Sequence, residues 1–124
     1  MIALTVFAGR VADRNALAMA GALRIGKALS RVTGLTSTPI GVAQPPLNSD
    51  WRRELEAARP DLQLLARTVR DAMQAGQRPV TVLNRCSAAL ATIPVIARAR
   101  PDAAIVWFDA HGDCNVPEHS ISGR

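Results

Sequence analysis

Ala103-Ala-Ile-Val-Trp-Phe-Asp-Ala-His-Gly-Asp-Cys-Asn115 is the stretch on which the reading of this chain turns. It opens with apolar, partly β-branched residues, Ile105 to Phe108, a run too short for a lone helix and typical of a buried strand. The run stops at Asp109, His111 and Asp113. Side chains of an extended segment alternate, so positions i, i+2 and i+4 share a face. Two carboxylates and an imidazole are thereby expected to converge just past a strand end, where open α/β sheets place their ligands. A single Asp at such a place is commonly a turn former or a helix N-cap, and Gly112 suits a turn. Three oxygen or nitrogen donors in five residues make half a metal site instead.

Working outward, the chain predicts alternating strands and helices. Ile2–Phe7 is a first strand. From Asn15, a good N-cap, Leu17, Gly21, Ile25, Leu29 and Val32 recur at helical spacing, and Gly34 closes the helix. Glycines 21 and 26 in that helix allow close packing on a sheet. Pro39–Val42 is a short second strand, and residues 44–49 form a loop. Asp50 caps a short helix from Trp51 to Ala58. Pro60 then starts another helix, with Leu62, Leu65, Val69 and Met73 as its apolar stripe and Gly76 as its stop. Pro79–Leu83 is the next strand. Ser87 caps a helix that carries Leu90, Ile93 and Ala97 inward and contains Pro94, which is expected to kink it. Arg100-Pro-Asp102 hands over to the Ile105 strand. This order gives an α/β fold with a mostly parallel sheet and right-handed crossovers, in one domain over residues 1–124.

Bulk properties narrow the function. The 124 residues are 48% apolar, enough for one small domain with a core. No apolar run reaches the length of a membrane span. The N-terminus lacks a basic leader region and is followed by Arg10, Asp13 and Arg14, so a cytoplasmic location is expected. The net charge of +5 comes from arginines scattered among acids at helical spacing, as in Arg52-Arg-Glu-Leu-Glu56. That pattern describes solvated faces. With only Phe7, Trp51, Trp107 and Phe108 available, a base-stacking platform is missing, which argues against nucleic acid. Cys86 and Cys114, without C-x-x-C spacing, are expected to be thiols rather than a disulfide.

Residues 79–124 resemble the ureohydrolase (arginase–agmatinase) family, binuclear manganese enzymes with a three-layer α/β/α fold. The resemblance is carried by Trp107-Phe-Asp-Ala-His-Gly-Asp-Cys-Asn115, similar to the family's D-A-H-x-D-x-N block. Ser87–Pro94, Arg100-Pro-Asp102, Pro117 and Ser122-Gly123 support it. It implies that Asp109 bridges two Mn²⁺ ions, that His111 binds one and that Asp113 binds the other. It further implies a metal-bridging hydroxide that attacks the carbon of a guanidino or amidine group, as in arginine or agmatine. Asn115 and Ser122 would hold the α-carboxylate end of an amino-acid substrate. Glu118 and His119 receive no role and are expected to be solvent-facing loop residues.

Two departures matter. Where the family has G-G-D-H-S, with its His on the first metal, this chain has Leu83-Asn-Arg-Cys-Ser87, so Cys86 replaces the imidazole. A thiolate binds metal but favours zinc or iron, and an inert buried thiol is the competing reading. The family's later D-x-D block and its catalytic His also have no counterpart before Arg124. The expectation is therefore a partial form, weak in manganese binding, inactive alone and prone to self-association through an uncovered sheet edge. Homo-oligomers are common in the family. Two rival readings stand beside it. One is a non-catalytic α/β interaction module or pseudoenzyme. The other is a metallophosphoesterase, whose D-x-H-G opening resembles Asp109–Gly112 but whose further blocks are missing.

Overall fold

A computed structural model describes residues 1–11 and 16–110 of the chain. Three parallel strands form its sheet: β1 (Ile2–Phe7), β2 (Ser37–Ile40) and β3 (Arg78–Val82), in the order β2-β1-β3. Leu4 pairs with Ser37 on one side and Val80 on the other, and Val6 with Pro39 and Val82. β1 is the middle strand, and Leu4 to Phe7 are all buried, as expected of a strand covered on both faces. Pro39 and Pro79 sit in the two flanking strands, where a missing N–H is tolerated.

Strand alternation sorts the core into two halves. Leu4, Val6 and Val82 meet Ala22 and Leu29 of α1 (Ala16–Thr33) on one face. Phe7 faces the other way and joins Leu65 and Val69 of α2 (Trp51–Gln74) and Ala91 of α3 (Ala89–Ala99). Helix, sheet and helix pair make the three layers of the expected α/β/α fold.

The helix faces differ from those read off the sequence. In α1, Met19, Ala22 and Gly26 are buried, whereas Leu17 and Val32 are more than four-fifths exposed and Ile25 is exposed. The large apolar residues define one periodic stripe; the small ones define the stripe that can approach the sheet. Gly26 is the reason: a Cβ there would collide with the Val6 side chain, while one at Gly21 would meet nothing. Close approach to the sheet thus applies to Gly26 alone. Gly34 ends α1 with positive φ, and its N–H reaches the Ser30 carbonyl.

The two helices expected around Pro60 are one. Asp50 caps it as predicted, its carboxylate accepting from the N–H groups of Arg52 and Arg53. Pro60 removes one backbone bond but lies on the exposed side. The stripe Glu54, Ala58, Leu65 and Val69 is buried on both sides of it, and that shared burial carries the helix through. Gly76 terminates it: Gly76 N–H bonds to Met73 O and Gln77 N–H to Ala72 O, a Schellman arrangement.

After β3, Ser87 caps nothing. It lies inside a 3₁₀ turn, Cys86–Ala88, that feeds directly into α3. The inward residues of α3 are Ala89, Ala91 and Thr92, with Val95 and Ile96 packed at the core margin; Leu90 and Ala97 are exposed. A larger correction concerns Ile105–Phe108, which is neither a strand nor buried. Residues 103–108 pair with no strand among those described, and Phe108 is 95% exposed. Apolar composition marks a segment as able to be buried but does not by itself fix its burial or its pairing.

Candidate active site at the carboxyl end of the sheet

Because the strands are parallel, the segments leaving β1, β2 and β3 meet at one end. Gly9 and Arg10 follow β1, Gly41 and Gln44 follow β2, and Asn84 and Cys86 follow β3. Gly41, at φ +74°, stands so near Gly9 that a Cβ would fall 2.6 Å from the Gly9 backbone. The Ala8 N–H extends the ladder to Ile40 O at 2.9 Å. The ends of β1 and β2 are thereby locked together.

A buried polar network surrounds that junction. Arg10 is 9% exposed and Glu54 2%, with Nη1 and Oε2 3.7 Å apart. Arg10 Nη2 donates to Gln44 Oε1 at 3.0 Å, and the Arg10 backbone N–H donates to Asp61 Oδ2 at 2.7 Å. The Ser49 N–H donates to Glu54 Oε1 at 3.3 Å. Asn84, also buried, donates from Nδ2 to the Gly9 carbonyl at 2.7 Å. The sequence reading assigned none of these residues. One signal was present: Glu54 precedes Ala58, Leu65 and Val69 at helical spacing, a charge placed inside an apolar stripe.

Cys86 opens the 3₁₀ turn and is exposed rather than buried. Beside it lies an open groove of about 400 Å³ lined by Arg85, Cys86, Thr92, Ile93, Trp107 and Asp109, among others. Two of the four expected metal donors, Cys86 and Asp109, therefore border one groove although 23 residues separate them. His111 and Asp113, and the expected substrate contacts Asn115 and Ser122, lie outside the described residues, as do Cys114, Glu118 and His119. Among the described residues no three His, Cys, Asp or Glu side chains form a cluster able to hold an ion. The pair that is present fits a metal in part: a carboxylate suits Mn²⁺, and a thiolate suits softer ions.

A larger groove, of about 1260 Å³, opens at the amino end of β1 and β3. Arg67, Arg70, Arg78, Arg98 and Arg100 line it, over a floor that includes Met73 and Val95. None of the expected donors lies there. Its exposed arginines match the solvated faces inferred from charge spacing; Arg70 and Arg100 pair with Asp71 and Asp102. No described helix is long and apolar enough to cross a membrane.

A parallel α/β sheet with helices on both faces, and with polar side chains and a lined groove gathered at its carboxyl end, is the architecture of α/β enzymes that bind ligands at that end. Residues 13–123 match the model of the arginase family. The chain is 40% identical over 123 residues to the N(omega)-hydroxy-L-arginine amidinohydrolase of Streptomyces lavendulae, covering 99% of this chain and 45% of that protein. It is 33% identical over 95 residues to an arginase of Bacillus caldovelox, covering 75% of this chain and 32% of that protein. It is 43% identical over 62 residues to mitochondrial arginase-2 of Mus musculus, or 50% of this chain and 18% of that protein. The chain belongs to the arginase family. It spans less than half the length of each of these relatives.

Proposed function

We propose that this chain carries part of the active site of a metal-dependent ureohydrolase that cleaves a C–N bond of a guanidino group. The observation that carries the proposal is that Cys86 and Asp109 border one groove at the carboxyl end of the sheet. The D-A-H-G-D-x-N block around Asp109 supports it, as does the family relationship. Cys86, Asp109, His111 and Asp113 are the residues that would hold manganese. When bound, the metal supplies the Lewis acidity that makes water a nucleophile near neutral pH. Asn115 and Ser122 would bind the α-amino-acid end of the substrate and orient its guanidino carbon.

The reaction adds the oxygen of water to the guanidino carbon and breaks the bond from that carbon to the side-chain nitrogen. The nitrogen leaves protonated as the amine of ornithine, and urea or hydroxyurea is the second product. Arginine and its Nω-hydroxy derivative are the two substrates favoured. The second is what the name of the Streptomyces relative says that protein acts on, and it is similar to nearly the whole of this chain. The test is ornithine release from each compound with Mn²⁺ present, alongside the melting temperature as Mn²⁺ is raised. Because the chain carries only part of the site, a rising melting temperature with little or no ornithine release from the chain alone is expected. A melting temperature indifferent to Mn²⁺ would replace this reading with a non-catalytic interaction module.

A further inference from the structure

We propose that Asn84 is a positioning residue that sets where Cys86 stands in the groove it shares with Asp109; the functional meaning of that placement rests on the reading above. Asn84 lies in the connection between β3 and the 3₁₀ turn and is only 8% exposed. Its Nδ2 donates to the Gly9 carbonyl at 2.7 Å across 75 residues of sequence. A carbonyl opposite fixes the amide orientation, because only the NH₂ end can donate to it.

The acceptor is itself immobilised. A Cβ on Gly9 would lie 2.8 Å from Asp61 Cγ, Gly41 presses on it from β2, and the next N–H is held by Asp61 Oδ2. Asn84 therefore anchors one side of the loop to a rigid point. On the other side Ala88, fully buried, sits in the core with Phe7, and its N–H bonds to Arg85 O at 3.1 Å. Cys86 is suspended between the two anchors, exposed to the groove.

Space filling alone does not explain an asparagine here. Its Oδ1 is buried and has no hydrogen-bond partner among the described residues. An apolar residue of similar size would avoid that desolvation cost but would leave the Gly9 carbonyl without its donor. The bond to Gly9 is thus what an asparagine supplies here and an apolar residue cannot. What Asn84 contributes is the register of the loop, and hence the position of a sulfur atom two residues on.

The test uses the full chain with Asn84→Asp, which keeps the shape and removes the donor, and Asn84→Leu, which keeps the packing. Cys86 alkylation by iodoacetamide is followed by mass spectrometry of its own peptide, which separates it from Cys114. Amide exchange is followed over residues 85–87. The expected result is cooperative unfolding, exchange at 85–87 faster by about tenfold with α2 unchanged, and an altered Cys86 alkylation rate. Co²⁺ as a probe, read by its sulfur-to-metal absorption, is expected to bind about tenfold more weakly in both variants. Unchanged exchange and alkylation in either variant that folds overturns the proposal. Cys86→Ser with Asn84 intact isolates the parent reading. If the sulfur-to-cobalt band is absent from the wild type, Cys86 is not a ligand, while exchange and alkylation still decide the role of Asn84.

Discussion

Arg10 and Glu54 face each other in the interior with Nη1 and Oε2 3.7 Å apart, one at the end of β1 and the other in the first turn of α2. Each has further partners: Gln44 on the arginine and the Ser49 N–H on the glutamate. The pair joins the exits of β1 and β2 to α2. Two charges in a low-dielectric setting hold such a joint only while both are present.

Removing one partner is therefore expected to be far worse than removing both. Arg10→Met or Glu54→Leu should each cost about 3–5 kcal/mol, since each strands a buried charge. The double variant should recover much of that loss. Urea denaturation of the two single variants and the double variant checks this as a cycle. Additive losses would mean that the two side chains act independently.

The contact between α1 and the sheet makes an opposite-sign prediction for two glycines of one helix. Gly26→Ala forces a methyl group onto Val6, which is 2% exposed, and should destabilise by about 1–3 kcal/mol. Gly21→Ala meets nothing within 4 Å and should stabilise by up to about 1 kcal/mol through helix propensity. Denaturant midpoints at equal slope give both values.

Burial also predicts which apolar residues matter. Leu65→Ala, at a site with no exposure, is expected to cost about 2–5 kcal/mol through the cavity it leaves. Val32→Ala, at a site 84% exposed, should stay within about 0.5 kcal/mol. Equal effects on thermal unfolding would place the α1 face elsewhere.

Two surface carboxylates predict an acid limb. The backbone N–H of Arg53, then that of Arg52, hold the Asp50 carboxyl below its ordinary value. The Arg100 guanidinium, in a two-point contact at 2.8 and 3.0 Å, brings Asp102 down to about 2. A folded-state pKa below the unfolded one means that the stabilisation is present above the unfolded value, near 4. It is lost as pH falls through the folded value. For Asp102 that window runs from about 4 to about 2. Asp102→Asn should flatten part of the melting-temperature decline there, and Asp50→Asn, which keeps a capping oxygen, should flatten another part. An identical decline in both variants would assign the acid limb to other groups.

The sequence by itself determined the alternation of strand and helix from β1 to α3, apart from the break expected at Pro60, together with the Asp50 cap and the glycine stops at 34 and 76. These follow from turn chemistry, capping and short motifs, all of which act between residues close in the chain. The tertiary structure alone decided which stripe of α1 faces the sheet, because Gly26 matters only with Val6 beside it. It carried α2 through Pro60, since the stripe is buried on both sides of the proline. It also brought Cys86 to the groove of Asp109, and Arg10, Glu54, Gly9 and Asn84 to one junction. Those partners lie between 23 and 75 residues apart, and no local periodicity encodes such a meeting. The apolar run Ile105–Phe108 shows the same division: its composition predicts a buried strand, whereas among the described residues it is exposed and pairs with no strand, since composition supplies no partner.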